Sequence, residues 1–357
     1  MPNTVFEQRV RAAWRARACA AGVATGAMIF SAGAGLAIPI CLNAATLSTP
    51  PVLLLSALIA WRAQRVLRKP KRCEDSAFTR ILWGLLALTL ALCAAYLICA
   101  QIALAEQTLL VQARVGWIAL TTLIALGLCA LSGGIAVARM CFLVRWVLPF
   151  LLITLGAKAL QKGTPIGLFP VLGTGLAPLG LSSLCMLCAA TPALLLLAPA
   201  DGQGGPELVP PARFFVLRVL AGGLMGALLL LSLTLCNTYD TLLSQTVWGE
   251  RMLVTCTHEP RLGIPQMALI LSQLLGLGLG ISALLCAAEQ AAGRTVKPLR
   301  TRPRALGACL LIATVTVFTM IRHGLDRTVY IAPALLAPAL LLLLFSGMLR
   351  SRGSAKP

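Results

Sequence analysis

Charge is scarce in this chain. Only 11% of its 357 residues are Asp, Glu, Lys or Arg and 59% are hydrophobic, whereas an average soluble domain is roughly a quarter charged; a soluble globule of this size is excluded. There are 11 acidic residues and two histidines, His258 and His323. Both histidines lie outside the long apolar runs, which leaves no material for a histidine metal site or an acid–base relay inside a membrane. Asn3, Asn43 and Asn237 all lack a hydroxyl residue two positions on, so no N-glycosylation acceptor is expected. A signal-peptide pattern is missing as well. The apolar run from about Ala18 to Leu42 is longer than a signal core and has no polar exit, and reads as a retained first span.

What the chain has is apolar length. A membrane span needs about 20 predominantly apolar residues, and runs of that kind fall near 18–42, 46–64, 80–101, 115–138, 142–160, 177–199, 214–236, 265–288, 306–322 and 329–349. The expected fold is an all-α polytopic transmembrane helix bundle of about ten spans. Pro50 and Pro51 at the start of the second run are tolerable, because the first turn of a helix has no N–H partners to lose. Composition divides the chain into a six-span bundle over 1–199, a Gly/Pro connector over 200–213 and a four-span bundle with a basic tail over 214–357. No internal repeat relates the two halves. Most of the 13 cysteines, among them Cys93, Cys99, Cys129, Cys286 and Cys309, fall inside apolar runs, where they act as small hydrophobes.

The net charge of +19 would suit nucleic acid if it formed a patch, but the basic residues sit between spans and no nucleic-acid partner is expected. With a cytoplasmic N-terminus and ten spans, 23 of the 30 Lys and Arg fall on the cytoplasmic side while acidic residues divide 6 against 5. Basic charge alone is sorted, as expected of side chains that resist translocation, and both termini are expected to be cytoplasmic. The stretch open to two readings is Lys158–Leu181. Reading Ile166–Pro199 as two spans would put the five basic residues of Arg294–Arg304 outside, so Pro165–Pro178 is read as an apolar loop or re-entrant segment before a single sixth span.

Few side chains invite chemistry. The spans carry no ionisable residue at midplane, and Arg218, about a turn inside the seventh span, is expected to snorkel to the cytoplasmic face. Gln273 in the eighth span is the candidate polar packing or solute contact, because an unpaired amide in hydrocarbon costs several kcal/mol. Thr121, Thr122, Thr314, Thr316 and Thr319 are expected to bond neighbouring helices. Cys236 and Cys256 flank the longest expected external loop and form a candidate disulfide. Cys185 and Cys188 match a CxxC spacing without the further ligands a structural zinc needs. Arg62, Arg65, Arg68, Lys69, Lys71 and Arg72 make a basic stretch that serves as a topology anchor and a candidate contact for anionic lipid. Gly22-xxx-Gly26, Gly222-xxx-Gly226 and Gly276-xxx-Gly280 are spaced for close helix packing within the molecule. No catalytic, cofactor or metal-ligand pattern occurs, so no enzyme and no cofactor are expected. The bilayer and other membrane proteins are the expected partners.

The Arg-rich start, six spans, Gly/Pro connector and four spans, with Leu325–Tyr330 running into Ala332–Arg350, resemble the non-glycosylated multi-spanning envelope proteins of alphaherpesviruses. That family is distantly similar to equilibrative nucleoside transporters. The resemblance implies an accessory protein of virion envelope and host membranes that modulates fusion or envelopment, and it transfers no site residue. The first functional expectation is therefore a non-enzymatic multi-pass protein acting through membrane-protein contacts. The rival is a transporter of a small uncharged solute that uses Pro165–Pro178 and the polar face near Gln273.

Overall fold

The computed structural model describes residues 2–35, 46–68, 77–108, 114–146, 186–197, 208–235, 264–293 and 301–323, with Pro149, Phe150, Ile153, Gly156, Ala157, Leu160, Leu176, Gly180, Ser183 and Thr295 between them. Among these residues every regular element is helical. In hydrocarbon no water satisfies backbone N–H and C=O groups, so a span must bond internally, and the Ala- and Leu-rich runs are strong helix formers. The elements are α1 (Pro2–Gly35), α2 (Thr49–Arg68), α3 (Ala77–Thr108), α4 (Val115–Leu131), α5 (Gly134–Val144), a 3-10 helix (Cys188–Leu197), α6 (Ala212–Leu235), α7 (Ile264–Gly293) and α8 (Arg302–His323).

The outer faces of these helices are greasier than water permits. Helix α4 exposes Trp117, Leu120, Ile124, Leu128 and Leu131, at steps of three and four, and buries Ala119, Leu123, Leu126 and Ala130 on the opposite side. Helix α8 likewise exposes Leu311, Val315 and Phe318 over a buried Ala313 and Val317. Continuous apolar stripes of this kind belong against lipid. The segments Ala212–Ser232, Leu274–Gly293 and Pro303–Arg322 have mean hydropathies of 2.2, 1.6 and 1.9, enough to cross a bilayer. The protein is an all-α polytopic membrane helix bundle.

Contacts fix the direction of each helix relative to its neighbours. Trp14 stacks near Phe215 with ring centroids 5.8 Å apart, and higher along both helices Gly22 faces Gly222 and Gly26 faces Gly226; α1 and α6 are parallel. Thr46 bonds Thr234 at 2.8 Å while Leu53 meets Gly223, so α2 opposes α6. Gly84 lies near Thr295 and Gln101 reaches the Leu274 carbonyl at 3.4 Å, so α3 opposes α7. Leu126 meets Gly278 and Ala130 accepts from Cys286 at 3.9 Å, so α4 and α7 are parallel. All four relations require an even number of crossings before α6. Within Ile166–Pro199 only residues 186–197 with Leu176, Gly180 and Ser183 are described, so the number of spans expected there lies outside the described residues. Helices from both sides of the connector share one buried core.

Two apolar runs depart from simple spans. The fourth, expected as unbroken from 115 to 138, ends at Leu131, and the chain turns by 105° into α5. Gly133 makes the turn with φ of 92°, a conformation that a side chain disfavours. In the sixth run the described residues include a 3-10 helix over Cys188–Leu197 with Pro192 inside it; proline has no N–H to donate to an α-helical ladder. In the second run the paired prolines stand in the first turn of a continuous α2, where they cost little. Of Pro165–Pro178 only Leu176 is among the described residues, and the last run, 329–349, lies outside them.

Candidate functional site

The 3-10 helix packs against α1, α2 and α7, and each of these four elements carries a fully buried hydroxyl: Thr25 on α1, Ser56 on α2, Thr191 on the 3-10 helix and Ser282 on α7. Thr25 donates to the Ala21 carbonyl at 2.7 Å, Ser56 to Val52 at 2.7 Å and Ser282 to Gly278 at 2.8 Å. Each proton is thus satisfied within its own helix while the oxygen keeps acceptor capacity. Hydroxyls of this kind carry no charge and offer acceptor oxygens to a polar partner.

At one end of the bundle a second set of hydroxyls ties helices together. Ser48 bonds Ser183 at 2.8 Å, Thr46 bonds Thr234 at 2.8 Å, and Thr49 donates to the Thr46 carbonyl at 2.8 Å. By the charge sorting, this is the external end. On α3, the Gln101 amide reaches across to Leu274, and its Oε1 is enclosed with no hydrogen-bond partner among the described residues. A small cleft of about 10 Å³ lies between α3, the 3-10 helix and α7, bounded by Trp83, Leu90, Leu194 and Gln290. That is room for one water-sized sphere, where a solute site needs hundreds of cubic ångströms.

Three polar side chains near span ends are enclosed by protein: Arg17 and Glu289, at 4% and 7% exposure, and Gln64. Sequence reasoning passed over Gln64, Gln101 and Glu289 because each falls at or just past a hydropathy boundary, where polar residues are ordinary. Among the described residues no group of three or more His, Cys, Asp or Glu is placed to hold a metal.

The expected site residues fare unevenly. Gln273 falls on α7 beside Leu274, but its side chain lies outside the described residues, as do Cys236 and Cys256. Arg62 sits with its guanidinium 5.6 Å from the Trp61 ring centre, half-buried at the side of α2. Arg65 and Arg68 continue that helix without described side chains, and Lys69, Lys71 and Arg72 lie outside the described residues. Thr121, Thr316 and Thr319 do not bond neighbouring helices; they donate to the carbonyls of Trp117 at 2.9 Å, Ile312 at 2.7 Å and Val315 at 2.7 Å. A carbonyl four residues back is always within reach of a helical threonine, and no neighbour has to be positioned for it.

The sequence matches no family model and no curated protein. Its fold is similar to that of solved membrane transporters. One is Mhp1, a nucleobase-cation-symport-1 family transporter in a closed conformation with bromovinylhydantoin bound, at TM-score 0.57 and 14% identity, over 94% of this chain and 77% of that one. Another is a variant of the manganese transporter of Eremococcus coleocola, at TM-score 0.56 and 18% identity, over 93% of this chain and 77% of that one. At such identities the likeness is one of fold, and it extends over nearly the whole chain.

Proposed function

We propose that this protein is a transporter of a small uncharged solute. The observation that carries the reading is the fold likeness to two membrane transporters, joined to buried hydroxyls on four elements that pack together, one of them not α-helical. Irregular backbone at membrane depth is tolerated where it is buried in protein or lines a cavity, and a 3-10 stretch inside a helix marks a hinge or a sequence under strain. Hydroxyls bonded to their own helix can turn toward an incoming neutral donor or acceptor at small cost. The hydantoin bound by the first neighbour belongs to that chemical class. The second neighbour's manganese does not, and the described residues offer no metal grouping in its support.

Reconstitution tests the reading. Proteoliposomes holding the full chain should take up a labelled neutral ring compound, from a panel of nucleobases, nucleosides and hydantoins, with saturation. Ser282→Ala or Gln101→Leu should lower the rate severalfold with folding retained. Uptake no greater than in protein-free vesicles across the panel, from protein that melts cooperatively, overturns it. The envelope reading, in which the chain is non-enzymatic and acts on fusion through other membrane proteins, is supported by the sequence pattern of spans and connector alone.

A further inference from the structure

The end of the bundle opposite the hydroxyl ties has a different chemistry. Arg145 follows the last turn of α5, with its guanidinium carbon 4.0 Å from the Phe142 ring centre and 4.9 Å from that of Trp146. Arg218 lies in the second turn of α6, 5.5 Å from the Phe214 ring centre. Helices α5 and α6 both pack against α1, and the Arg218 carbonyl abuts Gly22 on it. Two arginines far apart in the chain thus stand on helices that share one neighbour. Among the described residues neither arginine makes an ion pair. Arg218 leans back toward the start of α6 over Phe214, Arg145 lies between the rings of Phe142 and Trp146, and each is held by ring faces rather than by a carboxylate.

A guanidinium presents several N–H donors in a planar fork whose geometry matches phosphate oxygens two at a time. A ring face fixes that fork and leaves its edges open. Aromatic side chains at this level of a membrane protein lie among the headgroups, and by the sorting of basic residues this end faces the cytoplasmic leaflet, where anionic lipids concentrate. We propose that Arg145 and Arg218 bind the phosphate of an anionic phospholipid, with Phe142, Trp146 and Phe214 against its glycerol backbone. This site is separate from the basic stretch Arg62–Arg72 and independent of any solute carried.

The test is native mass spectrometry of the full chain in neutral detergent, titrated with phosphatidylglycerol or phosphatidylcholine of the same acyl chains. Phosphatidylglycerol should be retained preferentially, and the double variant Arg145→Gln, Arg218→Gln should lose that preference by roughly tenfold or more, given the attraction of each basic residue for an anionic surface. The Lys pair, Arg145→Lys with Arg218→Lys, should keep part of it. Thermal melts report folding, and if the double Gln chain does not melt cooperatively the two single Gln variants carry the measurement. Millimolar inorganic phosphate should leave the lipid bound; displacement would make soluble phosphate the ligand and overturn the lipid assignment. Equal retention of both lipids, or an unchanged preference in folded Gln variants, overturns the site altogether.

Discussion

Single glycines decide how closely α1 and α6 approach. A Cβ on Gly222 would collide with the backbone of Gly22, and one on Gly226 with that of Gly26; one on Gly22 would meet the Arg218 carbonyl. Lipid gives no hydrophobic reward for helix association, so such backbone approach is where packing energy comes from. Gly222→Ala should therefore destabilise the protein by about 3 kcal/mol, the upper part of the range for overpacking, since backbone cannot swing aside as a side chain does. Gly307→Ala is the control. Nothing lies within 4 Å of that position, and alanine is the better helix former by up to about 1 kcal/mol, so its melting temperature should hold or rise. Melts of the two variants in the same detergent give the comparison. That these stripes pack closely within the molecule was legible in the chain, because a four-residue glycine spacing is a surface with no side chains in the way. What could not be read was which stripe meets which: Gly276 and Gly280 share the same spacing but face Ala27 and Met28 instead.

At the scale of elements, apolar length was readable and backbone continuity was not. A hydropathy window senses the medium around a segment. It is blind to a change of direction inside it, so the fourth run looked whole although Ser132, Gly133 and Gly134 break it. Gly133→Ala should cost about 1–3 kcal/mol, the penalty of placing a Cβ at positive φ with extended ψ, a region essentially reserved to glycine, read as a shift in the same thermal melt. The hydroxyl ties were equally hidden, since Thr46, Ser48, Ser183 and Thr234 are distant in sequence and meet only once the bundle forms. A double-mutant cycle on Thr46→Val and Thr234→Val should give a coupling of about 0.6 kcal/mol, typical of a hydrogen bond between membrane helices. Additive effects of the two changes would mean that the hydroxyls do not hold α2 to α6.

Across the whole molecule, sorted arginines and the directions of the helices are independent records of one topology. The first comes from the sequence, where most Lys and Arg fall on one side of a ten-span alternation. The second comes from packing, where α1 runs with α6, α2 against α6, α3 against α7 and α4 with α7. Packing settles relative direction only; basic charge supplies the absolute sense, because a leaflet held by anionic lipid and a membrane potential both disfavour export of Arg. Gly293, at the end of α7, joins the two. It precedes the cluster Arg294–Arg304 and follows the eighth crossing, so a cysteine placed there should lie in the cytoplasm. Gly293→Cys should react with a membrane-impermeant maleimide only after permeabilisation, measured as the increment over the parent chain with its own 13 cysteines. Labelling of intact cells would turn the bundle over, leaving every helix contact intact and moving Arg145 and Arg218 to the opposite leaflet.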